Sequence, residues 1–543
     1  RYSYIILQMC GIFFYLGQPI TDELRTVLET NLKKTQHRGP DDTCYSVLNN
    51  IFFGFHRLSI NDTSTKGNQP FNIDSHKDIT LICNGEIYNA QKIKDEHNFK
   101  TYSDSDCEVI IHLYRLYGIT KTVKMLDGVF AFVLHDNSNK VTYIARDPIG
   151  VRSLYYGYGD NEFFLSSELK SIHELSNKVK PFPPGSIAEL LHEDGIVTYS
   201  FDKYYDYDYK LMPDLDESEY MKNIKLLLEE GVNKRLMSDR PIGCLLSGGL
   251  DSSLITALVA KHFEKGKLNT FSVGLEGAPD LIYARKVAEH LGTNHHEVVL
   301  TEEQMLGCID EDIKQIETYD TTTVRASTPM FLLSKYIKEN TDITVVYSGE
   351  GSDEASGSYM YFHNAPDEES FKNETFRLMR DLNRFDVLRC DKSTAGAGLE
   401  VRVPFLDKRF LHYYMSIPPK FKMAGGRIEK YLLRKSFDDG ELLPYDVLWR
   451  SKEGMSDGVS SKTKSWYEII GEKASSLYSD EDLENAKTKY THNPPRSKES
   501  LYFREIFNKH YPERDGLIPY YWLPKWSGDT VEPSARTLNV YKD

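Results

Sequence analysis

The sequence predicts two domains in tandem, a sheet-rich layered domain followed by a parallel α/β domain. The chain is 543 residues long, beyond the length at which a single core keeps growing. From residue 10 to about 200, short apolar runs are separated by Gly, Asn and Asp turns with few long amphipathic helices, a pattern of many antiparallel strands. From residue 220 onward the grammar changes to alternating strands and helices. That alternation indicates a parallel sheet with ligands at the carboxyl ends of its strands.

In the first part, strands are expected at Ile51–Phe55, Ile79–Cys83, Val129–His135, Val141–Ala145 and Phe163–Ser166, with helices at Asp22–Lys34 and Glu108–Leu116. The stretch FDKYYDYDYKLMPD follows neither a two-residue nor a 3.6-residue period, and residues 201–219 read as the linker. In the second part, a helix over Tyr220–Met237 leads into strand Ile242–Leu246, a turn and helix Ser252–Lys261. Strand Leu268–Val273, helix Leu281–His290 and strand Ile343–Tyr347 continue the alternation, so the second domain is placed at 220–515. Residues 516–543 read as a loop-like tail.

Hydrophobic residues at 40% and charged residues at 27% describe a soluble globular protein. A net charge of −15 argues against nucleic acid as a partner, since a basic stripe supplies most of that affinity. The seven cysteines, at 10, 44, 83, 107, 244, 308 and 390, are odd in number and form no CxxC pair. A disulfide framework or zinc site is therefore not expected, and a reducing, cytoplasmic location fits best. No stretch is long and apolar enough to span a bilayer. The run YIILQMCGIFFYL after Arg1 has the look of a signal-peptide core. Gln8 interrupts it, no small-residue cleavage site follows, and its β-branched and aromatic residues suit a buried strand better.

Six polar motifs follow Met9-Cys10 in order: HRGPDD (37–42), HRLSI (56–60), NGEIYN (84–89), SDSDCE (103–108), LDGVFAF (126–132) and RDPIGVRSLYY (146–156). Together with Cys10 they resemble the class II, N-terminal nucleophile (Ntn) glutamine amidotransferases. The resemblance implies a four-layer α+β Ntn sandwich over residues 10–200 with Cys10 as nucleophile. If Cys10 carries a free α-amine, that amine titrates near pH 8 and can take the thiol proton itself. Residues 1–9 are accordingly expected to be absent from the mature protein, through upstream translated sequence or a removed leader. The resemblance further implies that Asn84 (side-chain amide) and Gly85 (backbone N–H) stabilise the oxyanion, that Arg57 grips the α-carboxylate of glutamine, and that Glu86 and Asp106 hold its α-ammonium. Taken singly these residues are bland: Asn-Gly is a common hairpin turn, Arg57 an ordinary surface or ion-pair residue, Asp106 an ordinary helix cap. Only the ordered set makes a site.

In the second part, strand IGCLL runs into SGGLDSS (247–253) and an apolar helix. Gly248 and Gly249 are expected to let the backbone approach a phosphate at the positive end of that helix. No GxxxxGK[ST] is present here, so this is no Walker A loop. It resembles the PP-loop of ATP pyrophosphatases, of the adenine nucleotide α-hydrolase-like α/β fold, which release pyrophosphate and leave an acyl adenylate. The further motifs YSGEGSDE (347–354), YDTTTVRASTPM (319–330), GLEVRVPFLD (398–407), SKEGMSDGV (451–459) and the closing HYPERDGLIPYYWLPKWSGDTVEPSARTLNVYK resemble glutamine-hydrolysing asparagine synthetases. That resemblance covers residues 9–543.

It implies ATP and pyrophosphate contacts at Leu246, Ser247, Gly248, Gly249, Asp251, Ser252, Val273, Ser348, Gly349 and Lys452. It also implies Mg²⁺ on Asp251 and Asp353, Glu350 at the reacting centre, and Arg325 and Asp391 on the aspartate and adenylate side, with Arg325 reaching the phosphates. The small-molecule substrates implied are glutamine, aspartate and ATP, with ammonia passing between two sites, no membrane partner and a homodimer as the oligomeric expectation. Another family amidotransferase acting on a different carboxylate is the alternative enzyme reading. The ring-closing β-lactam synthetases need no nucleophilic Cys, so Cys10 counts against them. A non-catalytic binding module would have let Cys10, Asp251, Glu350 or Lys452 decay, and all four are present.

Overall fold

The computed structural model describes residues 10–39, 41–207 and 209–540, so the expected loss of residues 1–9 concerns a segment outside the described residues. Two compact units emerge. The first gathers the described residues up to Asp206 with two excursions from far along the chain, Met237–Pro241 and Thr394–Glu400. A strictly tandem reading has no place for these excursions. They are held by specific bonds: Arg240 Nε donates to the Ser59 carbonyl (2.9 Å), Asp239 accepts from the Asp62 N–H (2.9 Å), and Glu400 lies 3.4 Å from Arg152. The second unit holds Tyr207–Leu236, Ile242–Ser393 and the chain from Val401.

In the first unit, β1 (Gly11–Leu16), helix α1 (Asp22–Lys33), β2 (Asp42–Leu48) and β3 (Ile51–Arg57) are followed by β4 (Ile79–Ile87), α2 (Ala90–His97) and α3 (Val109–Met125). Then come β5 (Gly128–Asp136), β6 (Val141–Arg146), β7 (Tyr155–Gly159), β8 (Glu162–Ser166), β9 (Lys178–Pro181), β10 (Ser186–Glu193) and β11 (Ile196–Lys203). One sheet has the order β2-β3-β1-β8-β7-β9, the other β11-β10-β6-β5-β4, and the pairings are antiparallel. The central strands read as unbroken apolar runs because both faces are covered. GIFFYL of β1 and IFFGFHR of β3 are buried throughout. Between the sheets lies one cluster that includes Ile12, Phe14, Phe53, Phe55, Ile82, Val133 and Ile144. Behind the second sheet, Ile93, Ile110 and Leu113 of α2 and α3 pack on Leu81, Phe130 and Phe132, while α1 lies on β1 and β3. The result is the α-β-β-α sandwich. Helix α3 outruns the expected Glu108–Leu116 and breaks at Gly118, whose φ is +70°.

The expected linker is shorter than 201–219, because Phe201–Lys203 finish β11 and helix α4 (Glu217–Asn233) has already begun at 217. Asp216 caps α4, and Tyr220, Ile224, Leu228 and Val232 bury one face at four-residue spacing. Strands β12 (Ile242–Leu245), β13 (Asn269–Leu275), β14 (Asn294–Leu300), β15 (Val345–Tyr347) and β16 (Glu400–Arg402) form the sheet β14-β13-β12-β15-β16, with the first four parallel. Between them run α5 (Leu250–Ala260), α6 (Pro279–Leu291), α7 (Glu302–Ile316) and α8 (Thr321–Asn340). Helix α6 starts on Pro279 and stops at Gly292 in the left-handed region, the expected asymmetry of helix ends. After β15 come the short α9 (Ser352–Ser356), α10 (Glu368–Asp381) and α11 (Asp386–Gly396). The tail is irregular apart from single turns at Asp515–Leu517 and Ala535–Thr537. All seven cysteines carry free thiols, and among the described residues no helix is long and apolar enough to cross a membrane.

Candidate active sites

In the first unit His56 and Arg57 end β3 and Asn84, Gly85 and Glu86 lie inside β4, whereas Cys10 immediately precedes β1 and Asp106 opens a single 3-10 turn. Gly11 pairs with His56, which brings Cys10 level with Arg57, and the Leu58 N–H donates to Cys10 Sγ (3.3 Å). Side chains alternate across a strand. Ile12 of β1, Phe55 of β3 and Ile82 of β4 all face the gap between the sheets. Cys10, Arg57, Asn84 and Glu86 therefore face the same gap, at its open end.

The Asn84 amide is buried, and its Nδ2 has no hydrogen-bond partner. A buried N–H with nothing to donate to costs free energy, so its survival points to a ligand oxygen. Gly85 is fixed for a different reason: a Cβ there would sit 2.3 Å from the Val129 carbonyl of the neighbouring strand. Arg57 is gripped by the loop that follows it, donating to the carbonyls of Ser64 (2.6 Å) and Asp62 and to Asn68. Asp106 accepts from the Ile87 N–H (2.6 Å), and Asn61 bridges Glu86 and Asp106. Burial pushes the Cys10 thiol up to about 12, against a smaller lowering by its contact with the Leu58 backbone. Near neutrality the thiol is therefore protonated and needs a base. A second buried knot stands beside it: Arg38 (2.8 Å), His37 (2.8 Å) and Lys170 (2.6 Å) converge on Glu168, and Arg38 Nε holds the Cys10 carbonyl (3.1 Å).

In the second unit a cavity opens at the carboxyl ends of β12, β13 and β15. It is lined by Leu246, Ser247, Gly249, Asp251, Ser252, Val273, Ser348, Gly349, Glu350, Asp353 and Lys452. At its base Lys430 Nζ reaches Asp251 (2.6 Å) and Asp353 (2.7 Å), and Lys452 Nζ reaches Asp353 (2.6 Å). Despite burial, the two lysines hold the Asp353 carboxyl well below the usual range. Asp251 Oδ1 is buried without a partner. Two carboxylates with one orphaned oxygen fit Mg²⁺, which takes one or two protein carboxylates and completes its shell with phosphate oxygens and water. Among the described residues no cluster of three or more His, Cys, Asp or Glu forms a cation cage.

In the same cavity Glu350 accepts from Arg389 (2.7 Å), which also pairs with Asp386 (3.0 Å). Burial raises the Glu350 carboxyl, and Arg389 opposes that shift. The raised carboxyl suits a group that takes up a proton during reaction. Glu354, raised further by burial and by nearby Asp386 and Asp353, accepts from Tyr359 (2.6 Å).

The asparagine synthase family pattern matches residues 223–382 and 364–535, and the glutamine amidotransferase domain pattern matches 9–212. The asparagine synthetase [glutamine-hydrolyzing] of Gallus gallus is 44% identical over 98% of this chain and 99% of its own length. The enzyme of the same name from Homo sapiens is 43% identical over the same shares. The chain belongs to the asparagine synthetase family. Among solved structures, the allosteric regulatory enzyme of purine biosynthesis is a loose likeness, with a TM-score of 0.31 and 16% identity over 53% of this chain and 80% of that one.

Three positions assigned by family resemblance do not line the cavity: Gly248, Arg325 and Asp391. Gly248 is a glycine for packing. Its φ is +71°, and a Cβ would meet the Ala284 N at 2.3 Å, whereas the open side belongs to Gly249, with nothing nearer than Ser247 Oγ at 3.5 Å. Arg325 is buried and doubly paired, with Glu499 (Nε 2.7 Å) and Glu532 (Nη2 3.0 Å), so its charge is already matched. Asp391 is fully buried in α11. Asn61, Lys430, Asp386 and Arg389 were not singled out from the sequence. Lys430 follows a glutamate in an ordinary amphipathic stretch, RIEKYLL, and nothing local marks it.

Proposed function

We propose that this member of the asparagine synthetase family makes asparagine, AMP, pyrophosphate and glutamate from aspartate, ATP, glutamine and water. What carries the reading is one chain that holds both an amide-hydrolysing arrangement, with the orphaned Asn84 Nδ2 on the face that presents Cys10, and a carboxylate–lysine pyrophosphate cradle.

In the first reaction, Cys10 attacks the side-chain amide carbon of glutamine. Its thiol is held protonated by burial, so the proton must pass to a base, and the α-amine of Cys10 supplies one once Met9 is removed. Asn84 Nδ2 and the Gly85 N–H receive the oxyanion, Arg57 the α-carboxylate, and Glu86 and Asp106, tied by Asn61, the α-ammonium. Ammonia leaves, and water hydrolyses the thioester to glutamate.

In the second reaction, the β-carboxylate of aspartate attacks the α-phosphate of ATP. β-Aspartyl-AMP forms and pyrophosphate departs towards Lys430 and Lys452. Mg²⁺, when bound with ATP, neutralises phosphate charge, and Asp251 and Asp353 would hold it. Arg389 and Asp386 offer a cation and an anion to the two α-groups of aspartate. Ammonia then attacks the acyl carbon, Glu350 takes the surplus proton, and AMP leaves. Ammonia passing directly from one site to the other, a cytoplasmic location and the division of the chain at 10–200 and 220–515 belong to the same reading.

The test is to incubate the purified protein with ATP, Mg²⁺, aspartate and glutamine while following asparagine and pyrophosphate. Pyrophosphate release that does not depend on aspartate would overturn the assignment.

A further inference from the structure

The tail after Leu517 is the part of the second unit with least regular structure, and two of its residues, Ser534 and Arg536, are bonded to one short stretch, 453–461. Arg536 donates to Glu453 Oε1 through Nη2 (2.6 Å) and Nε (3.1 Å), and to the Ser461 carbonyl through Nη1 (3.0 Å). Ser534 Oγ donates to Asp457 (2.7 Å), which is buried. Glu532 accepts from Arg325, which is also bound to Glu499 on the helix Lys498–His510. Farther back, Trp522 lines the cavity itself.

Glu453 lies within the loop that carries Lys452, and Asp457 lies in the helical turn that directly follows it. Glu453 is also bound by Arg450 (3.1 Å), and Arg450 in turn holds Asp280 (3.0 Å) and the Gly248 carbonyl (3.1 Å) of the phosphate loop. A continuous run of charged contacts thus joins Arg536 in the tail, through Glu453 and Arg450, to the turn after β12, with Lys452 inside it.

We infer that residues 530–537 form a strap that positions Lys452, and that Arg536 and Ser534 are positioning residues for the pyrophosphate-forming half-reaction. Lys452 comes from a loop, not from a rigid element, and a long lysine on a loop reaches a leaving phosphate reproducibly only if the backbone at its root is fixed. The Lys452 N–H bond to Glu429 (2.7 Å) fixes one side of that root. The Arg536–Glu453 and Ser534–Asp457 contacts fix the other. Glu453 and Arg536 are each about one-tenth exposed, so the pair is sheltered from the screening that makes surface ion pairs weak. The inference rests on the reading of Lys452 as a pyrophosphate-binding residue.

The experiment compares wild type, Arg536→Ala, Arg536→Lys and Glu453→Gln, together with the Arg536→Ala/Glu453→Gln double variant. Aspartate-dependent pyrophosphate release and glutaminase activity are measured separately, with hydrogen exchange followed in peptides covering 448–460. Arg536→Ala is expected to lower kcat for pyrophosphate release at least tenfold, to leave glutaminase activity unchanged and to speed exchange at 450–458. Arg536→Lys should recover part of the loss, and the double variant should be no worse than the more impaired single one. Unchanged pyrophosphate release in Arg536→Ala, or a loss matched by faster exchange throughout the unit, overturns the strap. Wild type that releases no aspartate-dependent pyrophosphate overturns the underlying reading instead, so the two failures are distinct.

Discussion

Replacing Asn84 with Ala separates catalysis from stability in a way that a structural asparagine could not. The side chain is buried and its Nδ2 donates to nothing. A buried donor left unpaired costs roughly 1–3 kcal/mol relative to a solvated one. Asn84→Ala removes that cost together with three buried heavy atoms, and the small cavity left costs about 1 kcal/mol at roughly 24 cal/mol per Å³. The variant should thus be as stable as wild type or more stable by up to about 2 kcal/mol, a rise of a few degrees in Tm for a unit of this size. Catalysis moves the other way. Loss of one oxyanion donor lowers kcat by about 10²–10³, equivalent to about 2.7–4 kcal/mol. Because the contact forms only as charge develops on the oxygen, kcat and kcat/KM should fall together with KM for glutamine unchanged. Glutamate release under saturating glutamine measures the first effect, and scanning calorimetry the second. Synthesis from added ammonium is the internal control and should persist. A variant with wild-type glutaminase kcat, or one that melts several degrees lower, would show that the Asn84 amide is an ordinary structural group.

Cys10→Ala should abolish glutamine use and leave aspartate-dependent synthesis from ammonium intact; loss of both activities would refute the division of labour between the two units. Mass spectrometry of active protein should find a chain that begins at Cys10, because a Cys10 nitrogen locked in a peptide bond has no basic lone pair, and glutaminase activity from a chain with Met9 still attached would refute the α-amine as base. His56 is fully buried, bonded to Thr43 (2.9 Å) and the Leu32 carbonyl (2.8 Å), and burial lowers its pKa from 6.5 to about 4. The folded state thus binds its proton later than the unfolded state does. Stability from this group is complete above pH 6.5 and is lost as pH falls towards 4, by about 2 kcal/mol between pH 7 and pH 5. Urea melts of His56→Gln should lack that part of the acid dependence, and an unaltered pH profile would refute it. Lys430→Met leaves Asp251 and Asp353 short of a buried cation and should cost about 3–5 kcal/mol. Added Mg²⁺ should raise the Tm of Lys430→Met more than that of wild type; equal shifts would argue against the two carboxylates as the metal pair.

How far the sequence could be read depended on the range of the interactions involved. Alternation and turn residues lie within a few positions of one another. The strands placed from the sequence were accordingly found to within a few residues, as at Ile51–Arg57 and Gly128–Asp136, whereas others, such as Ser186–Glu193 and Asn294–Leu300, were not placed. The glycine pair after β12 was legible as a close approach, but the object approached was not. A backbone amide of α6, 36 residues on, occupies the space beside Gly248, while only Gly249 is open to a ligand. Arg325 shows the same limit with charge. Its motif marks an arginine that matters, yet the acids that take it up lie 174 and 207 residues away on an ordinary helix and in an irregular tail. Lys430 is the converse case, unmarked by its neighbours and drawn to the cavity by two aspartates 179 and 77 residues distant. Its own backbone adopts a left-handed conformation, φ +59°, immediately before a helix. A conformation costly for a lysine is retained where the surrounding contacts over-determine it. The ion pairs to Asp251 and Asp353 provide such contacts, and they make Lys430 the position in this unit where local sequence preference yields most plainly to the chemistry of the site.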